Sequence, residues 1–192
     1  QTQTDGQGGV TPYEYNPRNL RTATLMPGHN TASAVGDADY DRAEMVYDAM
    51  RRPLLKTDQL GDTCVYTYDL ASRLLTRDYR TGANSTPLTD GLPTGTISDT
   101  DTFTYDDASR PLTAIKGRYS NTVAFAYDSI GRPTSEALTT NGVTYTTGYS
   151  NYDDDSRLTV LTYPDGSTVT TSFTDRNQAK DIDYKPSGGT TA

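Results

Sequence analysis

Short stretches in which apolar and polar residues alternate recur along the chain, and each ends on an aromatic residue. Val123, Phe125 and Tyr127 fall on one face of such a stretch, with Ala124 and Ala126 on the other. Val169, Thr171 and Phe173 repeat the pattern, as do Phe103 and Tyr105 around Thr104. A period of two predicts β-strands. No apolar run exceeds a handful of residues, so no membrane-spanning helix is expected.

The residues just after each aromatic position are repeated as well. Tyr68-Asp69-Leu70-Ala71-Ser72-Arg73-Leu74, Tyr105-Asp106-Asp107-Ala108-Ser109-Arg110-Pro111, Tyr127-Asp128-Ser129-Ile130-Gly131-Arg132-Pro133 and Tyr152-Asp153-Asp154-Asp155-Ser156-Arg157-Leu158 share one pattern: Tyr-Asp, two variable residues, a small residue, Arg, then Leu or Pro. Tyr47-Asp48-Ala49-Met50-Arg51-Arg52-Pro53 is a fifth copy with Arg51 at the small position. Degenerate copies begin at Tyr15 and Phe173, which makes seven units. The basic step of 21 to 25 residues suits one β-hairpin and its link to the next, with two longer steps. The Asp is expected to accept backbone N–H bonds in an Asx-turn, the small residue to permit a tight bend, and the Arg to restart the strand. Stacked units should align ring with ring and bring each Asp near an Arg of the neighbouring unit, a pairing that contributes little when exposed.

Other turn signals fit the same plan. Asn141-Gly142 and Tyr163-Pro164-Asp165-Gly166-Ser167 look like hairpin tips between alternating segments. From 80 to 101 the rhythm breaks, and Gly82, Pro87, Gly91, Pro93 and Gly95 among Ser and Thr indicate an exposed loop insertion. The expected organisation is a polar, Gly-rich tail or edge strand over 1–12, seven repeats over 13–184, and a polar Gly-rich tail over 185–192.

Composition sharpens this picture. Only 33% of the residues are hydrophobic and there is no Trp, which argues against a thick core, while 34 Thr and 15 Tyr favour sheet. A net charge of -8 argues against nucleic acid or an anionic membrane as partner. Cys64 is the only cysteine, excluding an internal disulfide, and is expected to be buried as a small hydrophobe. Gln1 is followed by no charged n-region or apolar h-region, so either a removed signal or a cut fragment is expected.

Catalytic chemistry finds little to build on. His29, the only histidine, sits in the turn-like Pro27-Gly28-His29-Asn30. Asp37, Asp39 and Asp41 have the first spacings of a calcium loop with Asp48 at the twelfth place, but Arg42 stands where that loop requires Gly. They form a weak metal candidate, and no cofactor is expected. Asp153 to Asp155 read as the repeat's own turn. Asn84-Ser85-Thr86 is a glycosylation sequon in the loop segment.

Residues 15 to 178 resemble YD-repeat proteins, a group that includes bacterial Rhs and wall-associated proteins, toxin-complex shells and animal teneurins. The residues that carry the resemblance are the Tyr-Asp, small and Arg positions quoted above. It implies an all-β fold of antiparallel hairpins stacked into a curved or spiralling ribbon-like sheet, part of an Rhs-type shell or a fibre. It implies a non-enzymatic, extracellular or cell-surface structural role, enclosing a toxin or acting in adhesion. No shell-closing core sequence and no toxin-like domain is visible in the 192 residues. Expected partners are further repeats or copies of the chain through edge strands, with an encapsulated toxin or surface glycans beyond them. A self-assembling fibre subunit and a carbohydrate-binding module using exposed Tyr are the alternative readings.

Overall fold

The computed structural model describes residues 1–4, 6, 10–26, 41–81 and 96–188. His29, Asp37, Asp39 and the Asn84 sequon lie outside the described residues, as does the Asp41 side chain. The chain forms two compact units, Gln1–Asp101 and Thr102–Ala192. Both are built almost wholly of antiparallel hairpins, and the strands take chain order.

The first unit contains β1 (Thr2–Thr4), β2 (Val10–Tyr15), β3 (Arg21–Met26), β4 (Asp41–Tyr47), β5 (Pro53–Thr57), β6 (Thr63–Tyr68) and β7 (Leu74–Thr81). β8 (Thr96–Tyr105) crosses the boundary between the units. The segment expected as a loop over 80–101 is therefore strand at both described ends, because Thr96 to Asp101 continue the alternation that leads into Phe103 and Tyr105. The 1–12 segment contributes edge-strand residues: Thr2, Gln3 and Thr4 pair with Pro12, Thr11 and Val10.

The second unit continues with β9 (Pro111–Lys116), β10 (Asn121–Tyr127), β11 (Pro133–Thr140), β12 (Val143–Tyr152), β13 (Leu158–Thr162), β14 (Thr168–Phe173) and β15 (Ala179–Lys185). A 3-10 turn, Gly117–Tyr119, joins β9 to β10. Asn141 and Gly142 both take positive φ, 50° and 76°, and form the two-residue tip between β11 and β12.

Pairing register sorts the side chains of the second unit onto two unlike faces. Val123 pairs with Leu138 and Leu138 with Tyr145, while Tyr149, Leu161, Val169 and Tyr184 form a second cross-strand row. Residues directly opposite one another share a face, so these rows make one aliphatic and aromatic surface. The other face carries Ala124, Ala137 and Thr146, and the row Gly148, Thr162, Thr168 and Lys185. Thr139 and Thr144 join hydroxyls across this face at 2.8 Å. A sheet of this kind needs few apolar residues, which fits the low hydrophobic content.

Among the described residues, deep burial is scarce and lies mostly in the first unit. Ala23, Leu25, Leu55 and Val65 are its buried apolar residues, and Leu55 lies directly opposite Val65. Burying Leu25, Leu55 and Val65 stabilises by roughly 1.5–3 kcal/mol each, and the single methyl of Ala23 by less. Ala23 pairs with both Glu14 and Glu44, and its single methyl leaves room above it. Arg42 uses that room: its Nη1 and Nη2 donate to the two Glu14 carboxylate oxygens at 2.8 and 2.7 Å, while its Nε donates to Glu44. A guanidinium clamp thus spans β2 to β4 across β3. Cys64, expected to be buried, is only half-buried, because it lies on the face opposite Val65, across from Lys56 and Tyr79. Loss of hydration pushes its thiol pKa up.

Candidate functional site

The repeated Tyr-Asp segments all build the same turn. In the Asp48 copy, the Asp48 N–H donates to the Arg52 carbonyl at 2.9 Å and the Arg51 N–H to the Asp48 carbonyl at 3.1 Å. This is a three-residue hairpin loop whose last residue must take positive φ. Arg51, Ser72, Ser109, Gly131 and Ser156 do so, at 67°, 66°, 64°, 96° and 61°. The degenerate copies close identically from Asn16 with Asn19 and from Thr174 with Asn177. A turn at Asp58 to Asp62, with Gly61 at the same place, was missed in the sequence because no aromatic residue precedes it, though its Asp-x-x-Gly spacing is the same. Tyr163 to Ser167 folds the same way.

The carboxylate of each repeat has two tasks. In Asp48, Asp69, Asp106, Asp128 and Asp153, Oδ1 accepts the backbone N–H of Arg52, Arg73, Arg110, Arg132 and Arg157 at 2.8–2.9 Å. Oδ2 accepts the Nε–H of the same arginine at 2.6 Å. The carboxyl pKa is lowered in all five. For Asp69 and Asp106 the arginine's backbone N–H is the largest cause. For Asp48, Asp128 and Asp153 lost hydration is the largest single influence and pushes upward, but the arginine's hydrogen bonds and charge, with a further backbone N–H of the turn, together outweigh it.

Here the geometry corrects the sequence reading. The Asp pairs with the Arg of its own repeat, not a neighbour's, because the bend brings residues four apart side by side. The arginine is what reaches the next repeat. In the first unit Arg52 lies over the Tyr68 ring at 4.5 Å. In the second, Arg110 lies over Tyr127 at 4.5 Å, Arg132 over Tyr152 at 4.4 Å and Arg157 over Phe173 at 4.8 Å. Each of these rings therefore receives from the preceding repeat a cation laid on its face. The tyrosines add a second link, since the hydroxyls of Tyr68, Tyr127 and Tyr152 donate to the carbonyls of Pro53, Pro111 and Pro133 at 2.9, 3.1 and 2.7 Å. Tyr47 does the same to Arg21 at 3.0 Å.

The same arginines inspect the bend of the following repeat. Arg52 Nη1 donates to Ser72 Oγ at 3.1 Å and Arg157 Nη1 to Asn177 Oδ1 at 2.6 Å. A methyl group on Gly131 would stand 3.0 Å from Arg110 Nη1. The small position is thus read by the neighbouring guanidinium as well as by its own backbone.

Two further clusters carry polar chemistry that the sequence did not mark. Asp101 is buried, with Oδ2 accepting from Arg77 Nη2 at 2.7 Å and from the Tyr79 hydroxyl at 3.1 Å, while Oδ1 has no partner among the described residues. In the second unit a groove of about 600 Å³ is lined by Tyr145, Tyr163, Pro164, Asp165, Ser167, Val169 and Tyr184. Only the register, which sets β12 beside the β13–β14 hairpin and β15 beside β14, brings those residues together. Among the described residues, no group of three or more metal-ligating side chains is present.

No family model and no curated protein matches the chain. Among solved structures it is similar to chains of the TcdB2-TccC3-Cdc42 crystal structure, at TM-score 0.40 and 15% identity over 96% of this chain. It is likewise similar to TcdB2-TccC3 without the hypervariable C-terminal region, at 0.40 and 14% over 96%. The Photorhabdus luminescens Tc holotoxin pore with a mutated TccC3 gives 0.41 and 15% over 97%. The chain spans 13% of the length of each of these chains.

Proposed function

We propose that this chain is a non-enzymatic segment of a secreted or cell-surface Rhs-type β-shell, in which its hairpins form part of a wall that encloses a toxin or faces another cell. The observation that carries this reading is the arginine link, in which one repeat supplies the cation for the ring of the next. Such a device serves an array, because a repeat is completed only by its neighbours. The prediction is a broad, shallow thermal transition for the isolated chain, with hydrogen-exchange protection falling toward β1 and β15. A sharp, concentration-independent melt of a monomer would overturn it.

A fibre subunit is the second reading, favoured by β15, whose seven residues are all exposed and which ends the strand order. An edge of that length is a template for another strand. Electron microscopy at high protein concentration decides it: filaments support the fibre, and monomers alone rule it out.

A further inference from the structure

We propose that a groove over β10, β11 and β12 is a binding site for a small quaternary ammonium compound of the choline class. The groove encloses about 490 Å³ and is lined by the rings of Phe125, Tyr127, Tyr149 and Tyr152 and by one carboxylate, Glu136. It shares no lining residue with the groove of Tyr145 and Tyr184, and its volume lies within the roughly 300–1,000 Å³ of small-molecule sites. Register explains the grouping. Phe125 lies directly opposite Glu136 and Glu136 opposite Thr147, so the three share a face, and Tyr149, two residues on from Thr147, falls on the same face. The carboxylate thus stands between a ring on each neighbouring strand.

Charge selects the ligand. In this unit Asp106, Asp128 and Asp153 are each matched by the arginine of their own turn. Glu136 has no ion-pair partner among the described residues, and the Tyr149 hydroxyl hydrogen-bonds to it. Burial first, then the Glu136 charge and hydrogen bond, raise the Tyr149 pKa, so that hydroxyl stays protonated as a donor. No lysine or arginine is among the lining residues described. Tyr127 and Tyr152 already hold Arg110 and Arg132, so rings of this sheet do receive cations, while Phe125 and Tyr149 carry none among the described residues. An uncompensated carboxylate beside two such rings calls for a positive ligand. A primary ammonium brings three N–H donors and a guanidinium five, more than Glu136 and one hydroxyl can satisfy. A fully methylated ammonium brings none, so ring faces and a nearby negative charge suffice. A ligand that also carries a phosphate would meet repulsion from Glu136 and from a net charge of -8. This inference does not rest on the shell reading.

The test titrates the full chain by NMR with choline, with its uncharged isostere in which carbon replaces nitrogen, and with ethanolamine, guanidinium and phosphocholine. The expected result is saturable choline binding with a Kd below about 10 mM, and weaker binding of each of the other four. Glu136→Gln, which keeps an acceptor for the Tyr149 hydroxyl, should weaken choline about fivefold or more. Glu136 is exposed and outside every ion pair described, so this variant should melt as the parent does. Phe125→Leu, which keeps an apolar side chain but no ring face, should weaken choline while leaving the uncharged isostere unaffected. Tyr119→Ala, at a residue 60% exposed and outside the groove, should leave affinity unchanged. Absence of saturation below about 10 mM, binding of the isostere or any other competitor as tight as that of choline, or unchanged affinity in Glu136→Gln would each overturn the proposal.

Discussion

The link between repeats makes a quantitative prediction at Arg132 and Tyr152. The guanidinium sits 4.4 Å from the ring centroid with its side chain 28% exposed, so the stack is partly desolvated. Such a contact is worth about 0.5–1 kcal/mol at exposed sites and about 2 when dehydrated, which places this one near 1 kcal/mol. A double-mutant cycle isolates it: Arg132→Ala, Tyr152→Phe, Tyr152→Ala, and the pairs with Arg132→Ala. Stability is read from urea transitions followed by far-UV circular dichroism. Tyr152→Phe should cost about 0.5–1.5 kcal/mol, the share of the hydroxyl bond to Pro133, and leave the coupling to Arg132 nearly intact. The coupling between Arg132→Ala and Tyr152→Ala should be about 1 kcal/mol. Arg132→Lys should behave more like Ala than like Arg, since an ammonium cannot hold Asp128 through Nε and lie flat on the ring together. A coupling below about 0.3 kcal/mol would show that the arginine serves only its own turn, and the array argument would lose its basis.

Other expectations concern single sites. Gly131→Ala should destabilise by about 1–2 kcal/mol in the same urea assay, because φ is 96° and the new methyl would crowd Arg110 Nη1. Ala23→Leu should cost about 1–3 kcal/mol by filling the space under the Glu14–Arg42–Glu44 clamp, and a neutral result would mean the clamp is not seated over β3. Lowered carboxyl pKa values at Glu14, where the Arg42 hydrogen bond is the main cause, and at the five repeat aspartates predict acid sensitivity. Their folded values lie below the unfolded 4.5 and 3.8, so their contribution is complete above those values and is lost as pH falls through the folded ones. Melting temperature should be level from pH 7 to about 5 and decline below about 4, and a level profile down to pH 3 would refute this.

Much of the fold was legible because it is written locally. The Asx-type bond of Asp128, the bend at Gly131 and the strand restart at Arg132 all lie within five residues, and turn chemistry of that range can be read directly from the chain. The Asn141-Gly142 tip was equally plain. Less legible was anything that depends on which strand lies beside which. The arginine's second role over the following ring joins Arg52 to Tyr68 and Arg157 to Phe173 across 16 residues each, and no local pattern encodes it. Tyr145 and Tyr184 meet in one groove only after three strand pairings have been set. In 80–101, Gly and Pro punctuation masked the strand character of Thr96 to Asp101, which lack an aromatic residue of their own.

The first unit keeps its repeat turns, two Tyr-Asp and the degenerate Tyr15-Asn16 copy, at one end of the strands, joining β4 to β5, β6 to β7 and β2 to β3. Its two long connections, β3 to β4 and β7 to β8, fall at the other end. One margin is thus closed by a single repeated turn chemistry, while the other mixes the tight Asp58–Asp62 turn with connections of different length. A lineage could lengthen or replace the two long connections on that second margin and retain the same strand order, which separates the evolution of what the sheet displays from the evolution of how it is built.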